Sequence, residues 1–151
     1  MSAPYTAIRS AFTTKLLAFP TLPQVAWENR PFTPTQVPYL QPTLIPAESF
    51  QSEIGVNGMN RYSGIYQISI FVPAGQGTAA IDLLRDTLID HFCRGTIITC
   101  DDVPEWDTDI FWSNNRDARV TILKSWTGPT MFETDWVHVP VSVSYRLDAT
   151  N

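Results

Sequence analysis

Two stretches of the chain carry apolar residues at the spacing of an amphipathic helix. Apolar side chains recur every three or four positions over residues 4–19 and over residues 78–92, which places them on one helix face. The two stripes are Ile8, Ala11, Phe12, Leu16 and Phe19, and Ile81, Leu84, Leu88 and Phe92. Pro20 ends the first predicted helix, Thr78 suits the N-cap of the second, and Gly95 stands where a C-cap glycine is expected.

Two longer segments alternate apolar and polar residues, as strands with one buried face do. The clearest is residues 136–147, where the apolar set is Val137, Val139, Val141, Val143, Tyr145 and Leu147. Residues 61–72 alternate in the same way and follow residues 50–54 across the turn-forming segment 55–58. We therefore expect a long hairpin. Its second arm would be about 35 Å long at ~3.3 Å per residue, so that its end can extend beyond the body of the domain.

The order of the predicted elements indicates an α+β fold. Shorter strands are expected at residues 24–27, 39–45, 96–100 and 118–126. Pro42 and Pro46 make the strand at 39–45 an edge or bulged strand, because proline cannot donate a ladder hydrogen bond. The predicted order is one helix, three or four strands, a second helix and three strands, with short connections. This order predicts a mixed, mostly antiparallel sheet. This sheet contains the long hairpin and is packed by two helices on one face.

Length and composition narrow the class of protein. A chain of 151 residues forms one domain with a real core, residues 1–151. Its 44% hydrophobic and 17% charged residues exclude a disordered chain. The apolar runs are too short for a membrane span, so we expect no membrane partner. Cys93 and Cys100 are too few for a disulfide scaffold and indicate reduced thiols.

The net charge of −5 argues against a protein that grips nucleic acid by charge. An acidic surface can still line a passage through which a polyanion slides without binding. Much of the acidity lies in residues 101–117, which hold six acidic residues and one basic residue, Arg116. Aromatic residues of the kind that anchor protein interfaces lie among these acids. A solvated charged loop and a partner-binding loop are the two interpretations of this segment.

The segment Gly75–Ala80 matches the G-x-G-x-x-A pattern of a dinucleotide-binding turn. It follows a predicted strand and opens a predicted helix, where glycines and the helix N-terminus favour a pyrophosphate. The flanking segments alternate with period 2, however, which is typical of antiparallel strands rather than the buried parallel strands of that fold. A glycine turn that starts a helix explains the same residues.

No other motif points to catalysis or to a cofactor. His91 lies in the last turn of the second predicted helix, and His138 lies on the exposed face of the last strand. Neither has a neighbouring ligand at metal spacing. The sequence contains no nucleophile elbow, P-loop or catalytic cysteine context. We therefore predict no enzyme activity, no metal and no cofactor.

Six further segments form a recognisable pattern, namely Ala26–Asn29, Phe32–Pro34, Pro38–Leu40, Asn60–Gln67, Phe71–Gly77 and Trp136–Arg146. In these segments the sequence resembles the tail terminator, or tail-completion, proteins of long-tailed bacteriophages, and the resemblance extends over nearly the whole chain. It implies a sandwich of a mixed sheet and flanking helices. It also implies a homohexameric ring that caps the tail tube, ends tube polymerisation and presents a joining surface to the head connector or stopper protein.

The resemblance further implies a place in the virion. Such a ring lies at the head-proximal end of the tail, is assembled in the host cytoplasm, and lets DNA pass through its lumen without specific binding. Protruding contacts are expected from the 61–72 arm and from the 101–117 loop. The candidate interface residues are Arg61, Tyr62, Tyr66, Asp101, Asp102, Glu105, Trp106, Asp107, Asp109, Phe111 and Trp112.

Two alternatives stay open at the level of sequence. The first is a head-side stopper or another head-tail joining protein, which shares the same general plan. The second belongs to a different class, a small nucleotide-binding enzyme that uses the turn Gly75–Ala80. Binding of a nucleotide would favour the second alternative, whereas binding to the connector before the tube would favour the first.

Overall fold

The computed structural model describes residues 4–99 and 119–150. Its two helices are α1 (Pro4–Leu17) and α2 (Ala79–His91). Its strands are β1 (Gln24–Val25), β2 (Tyr39–Pro46), β3 (Phe50–Gln51), β4 (Met59–Pro73), β5 (Ile97–Thr99), β6 (Arg119–Thr127), β7 (Met131–Phe132) and β8 (Trp136–Thr150). This is the predicted α+β fold, and the helices and long strands lie where the apolar patterns placed them.

The eight described strands form one curled, mixed sheet. Its order is β1-β2-β4-β8-β6-β5, with β3 paired to β4 and β7 paired to β8. Within the described ranges, β1 and β2 run parallel and the other pairs run antiparallel. The sheet is therefore mostly antiparallel, as predicted.

The centre of the sheet is the pair formed by β4 and β8. The two strands are in register from Met59 opposite Thr150 to Pro73 opposite Trp136, over their full length. Their alternating apolar residues share one face because the register is kept without a shift. The apolar residues of β8 that the sequence singled out are all buried, which confirms the strongest strand prediction.

Both helices cover that apolar face. Phe12 of α1 stacks on Tyr66 of β4 with ring centroids 4.4 Å apart and meets Phe92, just after α2, at 6.1 Å. The α1 stripe is buried throughout, and Ile81, Leu88 and Phe92 are fully buried. One continuous core therefore lies between the helix layer and the sheet.

The predicted long hairpin is present, but its first arm differs from the prediction. β3 is only two residues long, and β2 continues the same strand path along β4. Pro46 lies opposite Gly64 and Phe50 opposite Arg61, so one extra residue is accommodated between these pairs. Such a bulge lets a chain containing prolines stay paired along a long partner.

The end of α2 also differs from the prediction. Phe92 is the C-cap residue, and its backbone N–H donates to the carbonyl oxygen of Leu88. Gly95 lies three residues further on and donates its N–H to the carbonyl oxygen of Ile122 in β6. The helix ends where Phe92 enters the core, and Gly95 belongs to the turn leading into β5.

Candidate interaction surfaces

The predicted contact residue Arg61 lies near the start of β4, where Asp148 of β8 holds it. Its Nε lies 2.8 Å from one carboxylate oxygen of Asp148 and its Nη2 lies 3.2 Å from the other. The guanidinium also lies over the ring of Phe50, 6.0 Å from the centroid. These contacts hold the guanidinium at one end of the sheet, and the hydrogen bond to Asp148 raises the pKa of Arg61.

Tyr62 and Tyr66 lie on the same face of β4 but in different surroundings. Tyr62 is half-buried and meets the ring of Tyr5 edge-on at 5.7 Å. Tyr66 is 2% exposed under α1, and its burial raises the pKa of its hydroxyl. Tyr66 is thus a core residue and not the protruding contact that the sequence predicted. A period-2 pattern identifies the face of a strand, but it does not show how far a helix covers that face.

The remaining predicted contact residues lie outside the described ranges. They are Asp101, Asp102, Glu105, Trp106, Asp107, Asp109, Phe111 and Trp112. The segment that holds them joins β5 to β6, two antiparallel neighbours at one edge of the sheet. Their role as contacts remains a prediction from the sequence.

The turn Gly75–Ala80 connects β4 to α2, as predicted, and its residues are exposed. Gly75 has φ +86° and Gly77 has φ +75°, values that favour glycine and explain both residues as turn formers. β4 runs antiparallel to each of its partners, β2, β3 and β8. Among the described strands, β4 therefore has no parallel neighbour with which to form the crevice that the nucleotide-binding alternative requires.

The two histidines make structural contacts that the sequence did not predict. His91 Nε2 lies 2.6 Å from the carbonyl oxygen of Lys15, in the last turn of α1. This contact ties the end of α2 to the end of α1 and satisfies a carbonyl that has no partner within its own helix. The sequence analysis placed His91 only against the end of its own helix.

His138 lies on the sheet face that the helices leave uncovered, as predicted, but it is half-buried there. It stacks on Phe71 with ring centroids 5.0 Å apart, and its Nδ1 lies 3.3 Å from Glu133 Oε1. Tyr39 stacks on the other side of Phe71 at 4.7 Å. The row crosses three adjacent strands because these residues are direct cross-strand partners.

The outer side of β2 is closed against the addition of another strand. Leu44 points its backbone N–H away from β4, and this group donates to Glu28 Oε1 at 2.8 Å. Pro42 is two residues before Leu44 and Pro46 is two residues after it. Both lie on the same side of the strand as the Leu44 N–H, and neither has a backbone N–H. Leu40 accepts a hydrogen bond from Ala26 in the segment that follows β1. Edge strands closed in this way resist pairing with a further chain.

A groove of about 360 Å³ lies between α1 and the closed side of β2. We call it the α1–β2 groove. Its lining consists of Arg9, Thr13, Leu17, Trp27, Glu28, Arg30, Pro42 and Tyr66. Glu28 forms an ion pair with Arg9 across it. The groove thus combines an apolar floor with a charged rim, a surface that sequence reasoning did not find because its walls come from separate parts of the chain.

A second surface missed by the sequence analysis is the tip of the β3–β4 hairpin, residues 52–58, which we call the hairpin tip. Ile54 and Val56 lie there with relative exposures of 105% and 89%. Phe50 at its base is 55% exposed. The sequence analysis interpreted this segment only as a turn, because of Gly55 and Gly58. The signal that the sequence offered is the pair of branched apolar residues, Ile54 and Val56, in a segment between strands.

Within the described ranges, no group of three histidine, cysteine or acidic side chains is placed to hold a metal ion. Cys93 is exposed and its Sγ lies 3.2 Å from Thr96 Oγ1. The helices of the described part are too short and too polar to cross a membrane.

Comparisons with known proteins give a matching family and a similar solved structure. A family model described as phage tail terminator protein matches residues 7–145. One solved structure is similar with a TM-score of 0.68 at 22% identity, over 97% of this chain and 96% of that chain. At this identity the solved structure shows the fold alone. A search of curated protein sequences finds no match.

Proposed function

Because the chain belongs to the phage tail terminator family, we propose that it forms a homohexameric ring that caps the tail tube and ends its polymerisation. The chain is a structural protein of the phage tail and a component of the virion. We place the ring at the head-proximal end of the tail, where its other side meets the head connector or stopper protein. The proposed role is architectural and requires no catalysis.

The observation that carries this proposal is the family match over residues 7–145. The two surfaces described above support it, because a closed ring needs two different patches on each subunit that fit each other. The α1–β2 groove is concave, and the hairpin tip is an exposed apolar projection. A single self-complementary patch would instead give a two-fold dimer.

The distribution of charge supports passage of DNA without binding. Six of the 15 acidic residues and one of the ten basic residues lie in residues 101–117. The rest of the chain therefore carries equal numbers of acidic and basic residues, and the net charge of −5 belongs to this one segment. Acidic side chains repel a phosphate backbone, and we propose that this acidity keeps DNA from binding to the ring as it passes.

Assembly with tube protein tests the proposed function. Polymerising tube protein with and without this chain should give short, capped tubes in its presence and continued growth in its absence, measured by electron microscopy. The Glu48→Ala variant, which changes an exposed acidic residue near the hairpin, should cap as the wild type does. Unchanged tube growth together with tight binding to the connector would contradict the proposal and favour a stopper.

A further inference from the structure

We propose that the hairpin tip is the self-contact element of the ring and that it inserts Ile54 and Val56 into the α1–β2 groove of a second copy of this chain. This inference rests on the proposed ring and names the surfaces that form it. The tip and the groove are different patches of one subunit, so each copy offers both to its neighbours. Such a heterologous contact closes into a ring when its rotation fits.

The exposure of the hairpin tip is the first observation behind this proposal. Turns usually carry glycine, proline and small polar residues, each for a backbone reason. Ile54 and Val56 instead place two branched apolar side chains fully in solvent, and Phe50 at the base is also exposed. Apolar groups gathered at a protruding tip are typical of a surface that is covered by a partner.

The backbone of the tip is held in shape before any partner arrives. The Ser52 backbone N–H donates to the carbonyl oxygen of Met59 at 2.8 Å, and the Met59 N–H donates to Glu53 Oε2 at 3.2 Å. The Gln51 side-chain amide donates to the carbonyl oxygen of Gly55. A tip fixed by such contacts loses less conformational entropy on docking than a loose loop does.

The α1–β2 groove suits this tip in size and in polarity. Its volume of about 360 Å³ is large enough for the two aliphatic side chains. Leu17, Trp27 and Pro42 supply apolar surface at the wall and floor. Leu17 is 58% exposed although it lies at the end of a helix that is otherwise packed on the sheet. Docking the tip would remove apolar surface from water on both sides.

The charges of the two surfaces are complementary. No basic residue occurs between Arg30 and Arg61, so the whole hairpin tip carries only the negative charge of Glu53. The groove rim carries Arg9 and Arg30. Arg9 is already paired with Glu28, whereas the Arg30 guanidinium has no ion-pair partner within the described ranges. We therefore expect Glu53 of one copy to form an ion pair with Arg30 of the next copy. This charge complementarity favours the proposed contact over contacts with other surfaces.

The closed side of β2 decides how the neighbour docks beside the groove. A hairpin could add to an open sheet edge by backbone hydrogen bonds. Pro42, Pro46 and the bond from Leu44 to Glu28 remove the groups that this would need. Contact beside β2 is therefore made by side chains that enter the groove.

Disulfide trapping tests the contact directly. In a Cys93→Ser, Cys100→Ser background, Ile54→Cys protein is mixed with Leu17→Cys protein in solution and on tail tubes. A disulfide-linked dimer of the two variants is expected after mild oxidation, and neither variant alone should give it. Absence of the cross-link both in solution and on tubes would overturn the proposal.

Substitution tests the same contact by assembly. The double variant Ile54→Glu, Val56→Glu should weaken ring formation by at least about tenfold, measured by sedimentation velocity with tube fragments. A tenfold loss of affinity corresponds to only about 1.4 kcal/mol. Leu83→Glu is the matched control, because Leu83 is a 69% exposed leucine on α2, away from the groove lining. It should assemble as the wild type does.

A charge exchange completes the test. Glu53→Arg should weaken assembly, and adding Arg30→Glu in the same chain should restore it. If the wild type forms no ring in solution or on tubes, the proposed function itself fails. If the wild type forms rings and the double variant forms them equally well, only the tip contact fails. Rings of the double variant that no longer bind tubes would overturn the self-contact and assign the tip to the tube protein.

Discussion

Gly64 and Tyr145 face each other across the central strand pair, and the tyrosine hydroxyl occupies the space where a side chain at Gly64 would begin. A β-carbon at Gly64 would lie 2.7 Å from Tyr145 Oη and 2.5 Å from the carbonyl oxygen of Ile45. The absence of a side chain at Gly64 therefore lets β2, β4 and β8 pack closely at this point. Tyr145 itself is fully buried, and its ring meets Phe12 of α1 at 5.3 Å.

The close approach at Gly64 predicts that Gly64→Ala destabilises the fold by about 2–3 kcal/mol, the cost typical of overpacking a core. The effect should appear as a lower free energy of unfolding in urea. The clash with the Ile45 backbone remains when the hydroxyl is removed. Tyr145→Phe should therefore restore little of the loss, and full recovery in the double variant would contradict this explanation.

The buried tyrosines predict a loss of stability at alkaline pH. Burial raises the pKa of Tyr145 to about 12 from its ordinary value of 10.0 and raises that of Tyr66 in the same direction. Because the folded state favours the neutral phenol, this contribution is complete below about pH 10 and is lost as the pH rises through 12.

The measurement is the free energy of unfolding between pH 8 and pH 12 at about constant ionic strength. Tyr145→Phe should fall less steeply than the wild type over the upper part of this range. At neutral pH it should differ from the wild type by less than about 1 kcal/mol, because the Tyr145 hydroxyl is buried without a hydrogen-bond partner within the described ranges. Parallel curves for the two proteins would show that Tyr145 does not titrate as stated.

The contact of Glu28 with Leu44 predicts that Glu28→Ala opens the edge of the sheet. The variant should lose about 1–2 kcal/mol, because a half-buried N–H loses its acceptor. It should also aggregate more readily, measured by light scattering during mild heating. Glu28→Gln keeps an acceptor oxygen and should stay close to the wild type. Glu48→Ala is the control for loss of charge, and equal aggregation of both alanine variants would refute the edge explanation.

The hydrogen bond between His91 and Lys15 predicts that His91→Ala loosens the end of α1. We expect a loss of about 1 kcal/mol, the usual contribution of one hydrogen bond. Amide exchange should be faster at Ala18 and Phe19, whose N–H groups bond to the last turn of α1. The N–H of Ile122 in β6, bonded to the carbonyl oxygen of Thr96 just before β5, should keep its exchange rate. Faster exchange at Ile122 as well would indicate general destabilisation instead.

The pair formed by Arg61 and Asp148 predicts a small energetic coupling in spite of its two-point geometry. Both side chains are about one-third exposed, and exposed ion pairs contribute about 0–1 kcal/mol. A double-mutant cycle with Arg61→Gln and Asp148→Asn should give a coupling energy in this range that decreases with added salt. A much larger, salt-independent value would show that the pair is shielded from solvent.

The local patterns of the chain determined the helices, the long strands and most of the core. The residues between Trp136 and Leu147 alternate so regularly that only one face can be buried, and the structure buries that face. Pro42 and Pro46 indicated an edge or bulged strand, and β1 pairs with β2 only at Tyr39 and Leu40, before either proline. These features depend on side-chain periodicity and on missing N–H groups, which a single segment displays by itself.

The tertiary structure alone decided which segments meet. Strand order and the continuation of β2 into β3 are set by backbone hydrogen bonds, which are the same for every residue type except proline, so the sequence carries no direct code for them. The core position of Tyr66 depends on the placement of α1 over β4, and the α1–β2 groove depends on walls far apart in the chain. Periodicity specifies the face that each element buries, whereas the partner that covers this face is chosen by how all the elements pack together.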